Sequence, residues 1–246
     1  LEKRTNIFKV PKLIVFKISD FKVSPREMIE NIITVFNCSY LAVRSSSLQE
    51  DCASSSAAGK FDSVLKVEST DYDKLSTAIN KVIKSYGFES SSDDEVIVQE
   101  MVEDSDMSGV VFTHDLNTGA PYYVINYDDT SGQTDTVTSG SGEYSNRTIY
   151  IHRNSMQDLR SERFVKLLQA IKELERVMES QFLDIEFALG KDLILYLLQV
   201  REITTQPNWN RAISKRIDDT LQGARVFAIE RFKKLNGVYG ETTLLG

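Results

Sequence analysis

Two adjacent segments near residue 190 carry the residue types that phosphate and metal chemistry needs. They are Leu183-Asp184-Ile185-Glu186-Phe187-Ala188-Leu189 and Leu195-Tyr196-Leu197-Leu198-Gln199-Val200-Arg201. Each alternates with a period of two, and residues i and i+2 of a strand point to the same face. Asp184 and Glu186 therefore share one face, with Leu183, Ile185, Phe187 and Leu189 on the other. On the second run Gln199 and Arg201 share a face, and Ile194, Tyr196, Leu198 and Val200 are expected opposite them. A hard cation such as magnesium takes oxygen ligands from one or two side chains plus phosphate oxygens, and an arginine grips the same phosphates bidentately. Two registers are open. A tight turn at Gly190-Lys191 sets Asp184 opposite Leu197 and Glu186 opposite Leu195, whereas a longer loop brings Glu186 opposite Gln199. The same alternation also describes an ordinary hairpin with one buried and one wet face.

A second constellation runs from Val43-Arg44-Ser45-Ser46 through Glu50-Asp51 to Ser56-Ala57-Ala58-Gly59-Lys60. A strand delivers Arg44 to its tip, and the Ser/Ala/Gly run is small enough for backbone N–H groups to approach an anion. Taken alone, the segment also reads as a serine-rich surface loop.

The elements that must position these residues are mixed. Strands are expected at Pro11 to Ile18, Tyr40 to Ser45, Glu95 to Glu100, Gly109 to Thr113, Tyr122 to Tyr127 and Arg147 to Ile151. Amphipathic helices are expected at Pro25 to Phe36, about Lys74 to Ser85, Ser161 to Ser180 and Ala212 to Leu235. The acidic connector Ser90 to Asp94 marks the internal boundary. The reading is therefore an α+β chain: residues 1–94 as one lobe, 95–206 as a second, sheet-rich lobe, and 207–246 as a helical connector.

The chain has 246 residues, 41% hydrophobic and 26% charged, which leaves ample length for a core. A formal charge of −7 without a Lys/Arg-rich run argues against binding nucleic acid. No apolar run approaches the roughly 18 residues that span a bilayer, and no signal peptide opens the chain, so a cytoplasmic location is expected. Cys38 and Cys52 lack metal-ligand spacing and read as reduced, incidental thiols.

Taken together, these blocks resemble the N-terminal ATP-grasp nucleotide-binding domain of the phosphoenolpyruvate synthase and pyruvate phosphate dikinase family. The resemblance is carried by Val43-Arg44-Ser45-Ser46 with Glu50-Asp51, and by Ser56-Ala57-Ala58-Gly59 continuing to Leu65-Lys66-Val67. It extends to Val98-Gln99-Glu100-Met101-Val102, Ser108-Gly109-Val110-Val111-Phe112-Thr113 through Gly119, Asp184-Ile185-Glu186, and Gln199-Val200-Arg201 with Thr204. Collinear blocks from about Val10 to Thr204 are far more specific than any one of them.

The resemblance implies two lobes with mixed and antiparallel sheets and ATP in the cleft between them. It implies adenine against Gln99, Glu100, Met101 and Val102, and the triphosphate over Ser56, Ala57, Ala58, Gly59 and Lys60 with Arg44 on its oxygens. Glu186 and Gln199 would hold Mg2+, Arg201 would stabilise the moving phosphoryl group, and Asp184 would assist. In such enzymes a phosphoryl group of ATP passes to a histidine on a separate swivelling domain, leaving AMP and phosphate. The partners implied are ATP, a phosphohistidine domain in cis and a small-molecule acceptor on another domain.

Two departures matter. The family's phosphate-binding lysine has no counterpart upstream of Val10-Pro11, so a truncated start is expected. The segment Asn126 to Gly140 replaces the usual glycine-rich loop and resembles the surface-polysaccharide branch, including the L-glutamine kinase of capsular phosphoramidate synthesis. The acceptor stays open among glutamine, which this branch implies, pyruvate, water and an antibiotic hydroxyl, and a nucleotide-binding module without chemistry is a further alternative. His114 and His152, outside any phosphohistidine setting, are expected to be surface or loop residues.

Overall fold

The computed structural model describes residues 3–46, 63–87, 93–131, 147–155, 159–203, 212–233, 235–237 and 240–242. In chain order the strands and helices begin with β1 (Phe8–Lys9), β2 (Leu13–Lys17), α1 (Ile18–Val23), α2 (Pro25–Val35), β3 (Tyr40–Ser46), β4 (Val64–Glu68) and α3 (Tyr72–Ser85). They continue with β5 (Glu95–Glu100), β6 (Met107–Phe112), β7 (Tyr122–Asp128), β8 (Arg147–His152), α4 (Glu162–Met178), β9 (Leu183–Leu189) and β10 (Leu195–Glu202). The chain closes with α5 (Ile213–Arg231) and the small hairpin β11 (Leu235–Gly237) and β12 (Gly240–Thr242).

The smaller lobe is a four-stranded sheet in the order β2-β5-β3-β4. Its strands alternate, so Phe16, Leu41, Val43, Val67, Val96 and Val98 point to one face, where they pack against Ile29 and Ile32 of α2 and Leu75, Ile79 and Val82 of α3. Proline opens α2, where its missing N–H costs nothing. The Asp71 side chain caps α3 by accepting from the Lys74 backbone N–H at 3.0 Å. The opposite sheet face carries Leu13, Val15, Ala42, Arg44, Ile97 and Gln99, and among the described residues no helix packs in the hydrophobic cluster on that side.

The larger lobe is a six-stranded sheet, β1-β10-β9-β6-β7-β8. Its core face presents Met107, Tyr123, Ile125, Ile151, Leu183, Ile185, Phe187 and Leu195 to Phe164, Leu167, Leu168, Ile171 and Leu174 of α4. These five recur at the three- and four-residue spacing that one helix face requires. The N-terminal end is fastened to the same helix: the Asn6 and Ile7 backbone N–H groups donate to the Glu173 carboxylate at 3.0–3.1 Å.

Sheet membership corrects the expected boundary after residue 94. β5 pairs with both β2 and β3, so a division there would cut it from its two neighbours, and the chain crosses to the larger sheet through residues 101–106. β1 crosses the other way, pairing in parallel with β10 although it precedes the whole smaller lobe. β1, β4 and α1 were not anticipated, whereas α2, α3, α4 and β9 stand within about two residues of expectation, the usual scatter at element ends.

Candidate active site

β9 and β10 are joined by a loop from Gly190 to Ile194 containing a single 3-10 turn, Lys191–Leu193, and closed by the Gly190 N–H donating to the Ile194 carbonyl at 2.8 Å. Asp192 and Leu193 take φ values of 60° and 58°. The ladder starts with Leu195 opposite Leu189, then shifts between Leu197 and Gln199, leaving Leu198 as the extra residue of a β-bulge. Beyond it Gln199 lies opposite Glu186 and Arg201 opposite Asp184. The longer-loop register is the one observed.

The bulge also corrects the expected faces of the second strand. Val200 packs on the core as expected, but Leu195 and Leu197 join it there, while Ile194 is exposed. Tyr196 and Leu198 alternate with Leu195 and Leu197 and so lie on the side of the polar residues. A uniform period of two cannot describe a strand that changes phase midway.

Arg44 reaches this face from the smaller lobe. Its Nη1 donates to Glu186 Oε2 at 2.7 Å and to Gln199 Oε1 at 3.2 Å. The ion pair is mostly buried, with side chains 13% and 14% exposed. Among the described residues, its Nε is buried without a hydrogen-bond partner. Beside it Arg201 Nε donates to Asp184 Oδ2 at 2.9 Å. Burial raises the Asp184 carboxyl above its ordinary pKa, Arg201 opposes that shift, and Glu186 adds to it.

The strand end expected to hold adenine lies where the lobes join. Gln99 is buried, and its Nε2 donates across the cleft to the Leu198 carbonyl at 3.4 Å. That carbonyl belongs to the bulge, and no period in the sequence marks it. The Glu100 and Met101 backbone N–H groups donate to the carbonyls of Lys12 and Tyr40, and Met101 and Val102 are half-buried at the crossing. Ser56, Ala57, Ala58, Gly59 and Lys60 lie outside the described residues.

The donor set suits a hard cation shared with phosphates. Two oxygens, Glu186 Oε2 and Gln199 Oε1, converge on one positively charged nitrogen of Arg44. Among the described residues no cluster of three or more His, Cys, Asp or Glu forms a self-sufficient metal cage. A magnesium ion here would take protein oxygens from Glu186 and Gln199 and rely on phosphate for others.

Both histidines are buried: His114 lies in the loop after β6, as a loop residue was expected to, whereas His152 ends β8, contrary to expectation. His114 packs its ring on Phe182 at 4.4 Å, and its Nδ1 lies 3.1 Å from the Gln181 carbonyl, which can only accept, so Nδ1 carries the proton. His152 Nε2 lies 3.3 Å from Asp218 of α5. Isolated polar residues leave no periodic trace of burial.

Residues 15–155 match the family model described as pyruvate phosphate dikinase, AMP/ATP-binding domain. The prodigiosin synthesizing transferase PigC of Serratia marcescens is 30% identical over 208 residues, covering 68% of this chain and 23% of that protein. The chain thus spans about a quarter of that relative's length. Among solved structures, the D-alanyl-alanine synthetase A of Vibrio cholerae is 16% identical, covers 79% of this chain and 51% of its own, and has a TM-score of 0.43. The VanG D-Ala:D-Ser ligase of Enterococcus faecalis is 17% identical, with coverages of 85% and 53% and a TM-score of 0.42.

Proposed function

Because the chain belongs to the pyruvate phosphate dikinase AMP/ATP-binding domain family, we propose that Arg44, Glu186, Gln199 and Arg201 bind and activate the triphosphate of ATP for phosphoryl transfer. The observation that carries this reading is the convergence of Glu186 and Gln199, from the larger sheet, on Arg44 of the smaller one. Phosphoryl transfer asks a protein mainly for positioning and charge neutralisation. When bound, Mg2+ supplies charge neutralisation at the phosphate oxygens. Arg44 binds phosphate oxygens from the smaller lobe, and Arg201, oriented by Asp184, meets charge that develops on the group being transferred. Gln99 to Val102 hold the adenine end, and Ser56 to Lys60 cradle the phosphates.

In the finer reading, ATP yields AMP and phosphate through a phosphohistidine carried by another domain, in the cytoplasm, with L-glutamine as acceptor. The matched transferase supports group transfer as the reaction type. Titration calorimetry with Mg2+ and a nonhydrolysable ATP analogue is expected to show binding to this chain that Glu186→Ala abolishes. No heat with the unmutated chain overturns the reading. Glutamine-dependent release of AMP by the full-length gene product tests the acceptor, and AMP release indifferent to glutamine removes it.

A further inference from the structure

The seat of the cation is already taken by a positive group. The guanidinium nitrogen of Arg44 makes the short contact to Glu186 and the longer one to Gln199, so both oxygens that a metal would use face one protein charge. The pair is largely shielded from water, so a bare cation entering from solvent would have to shed its own hydration and also strand a buried guanidinium. The neighbouring guanidinium cannot substitute as the occupant, because Arg201 is tied through Nε to Asp184. The Arg44 side chain also has unspent donor capacity, since among the described residues its buried Nε has no partner. A triphosphate offers what Arg44 lacks: several anionic oxygens, enough for two donors of its planar fork at once.

We propose that Arg44 determines what enters this site: it excludes a free divalent cation from Glu186 and Gln199 and yields only when nucleotide phosphates draw its guanidinium away. The inference rests on the reading that the site takes a nucleotide with its metal, and it adds an order to that binding. Transferring the guanidinium to phosphate keeps its charge compensated while freeing the Glu186 oxygen, so metal and nucleotide reinforce one another. Arg44 and Glu186 belong to different sheets, so the same exchange removes one tie between the lobes.

The test uses Mn2+ alone, followed by electron paramagnetic resonance, without nucleotide. The unmutated chain is expected to bind Mn2+ weakly. Arg44→Met, which keeps the length and removes the charge, is expected to bind it about ten-fold tighter or more. Adding Glu186→Gln to that variant is expected to reverse the gain. Arg44→Lys is the second variant, checked with the first for folding by circular dichroism melting. A lysine is a point charge without the fork, and an intermediate affinity is expected. Equal Mn2+ affinity in the unmutated chain and both variants overturns the inference. Analogue binding to the unmutated chain is read separately by calorimetry. Its absence sinks the ATP reading, whereas its presence with unchanged Mn2+ affinities sinks this inference alone.

Discussion

Glu186 and Gln199 stand opposite one another because Leu198 is an extra residue between them and the start of the ladder. A regular ladder continued from the Leu195–Leu189 pair would set Leu198 against Glu186. Gln199 would then fall opposite Ile185 on the core side, and a one-residue slip of this kind turns every later side chain over. The bulge returns Gln199 and Arg201 to the cleft and exposes the Leu198 carbonyl to Gln99.

Glu186→Ala leaves Arg44 without its counter-charge in a mostly buried position. The expected loss is about 2 kcal/mol of unfolding free energy, below the value for a fully buried pair because some water still reaches the site. Glu186→Gln, which retains an acceptor, is expected to lose about half as much. The double variant Arg44→Met with Glu186→Leu is expected to return near the original stability, since a removed ion pair of this kind costs little when apolar groups replace it. Urea unfolding of the four proteins checks the series, and a double variant less stable than Glu186→Ala alone contradicts it.

Gly109 sits in β6, where an added Cβ would fall 2.1 Å from the Asn126 carbonyl oxygen and 2.9 Å from the Tyr127 Cα on β7. The obstruction is backbone, which cannot rotate away, so the strands must separate. Gly109→Ala is expected to cost about 3 kcal/mol. Gly223, inside α5, provides the contrast: among the described residues nothing lies within 4 Å of its added Cβ, and Gly223→Ala is expected to stabilise by up to about 1 kcal/mol through helix propensity. Melting temperatures moving in opposite directions for the two variants would bear this out.

Residues obeying a period were legible, and residues placed by long-range pairing were not. Asp184 and Glu186 could be put on one face because Leu183, Ile185 and Phe187 alternate with them without interruption. The phase change at Leu198 could not be read, because it depends on loop length and on a partner strand. β5 looked like the start of the second lobe since an acidic connector precedes it, yet its hydrogen bonds run to β2 and β3, far away in the chain. Phe8–Lys9 is too short to carry any pattern. Single buried polar residues such as His114 have no periodic company at all.

His114 provides a pH dependence of definite sign. Burial, aided by the Arg153 charge, lowers its pKa to about 4, while its bond to Gln181 opposes that. The unfolded chain, with an ordinary histidine near 6.5, therefore binds the proton first as pH falls. The stability that His114 contributes is complete above about pH 6.5 and drains away toward pH 4. His114→Gln, which retains a donor toward the Gln181 carbonyl, is expected to flatten the decline by about 2 kcal/mol across that window, a figure reduced for partial screening. Urea midpoints measured at intervals between those pH values decide it, and parallel curves for the two proteins refute the assignment.

Arg153 carries the last prediction, because one side chain gathers three elements. Its two terminal nitrogens donate to Glu175 of α4 at 2.7 Å and 3.1 Å, and Nη1 also donates to the Thr113 carbonyl just beyond β6. Its guanidinium lies 4.7 Å from the Tyr123 ring centroid, and the Tyr123 hydroxyl donates to the same Glu175 carboxylate at 3.3 Å. Arg153→Ala leaves the buried Glu175 carboxylate without its counter-charge, although the Tyr123 hydroxyl still donates to it, at an expected cost of about 3 kcal/mol. Arg153→Lys is expected to recover less than half of it, since an ammonium cannot reproduce the two parallel bonds or the stacking. The loss should also be pH-dependent. Removing a positive charge that depresses His114 lets its folded pKa climb back toward 6.5, so the acid decline of Arg153→Ala is expected to be shallower than that of the unmutated chain. A destabilisation that is uniform from pH 4 to 6.5 would leave Arg153 as a packing residue with no electrostatic hold on His114.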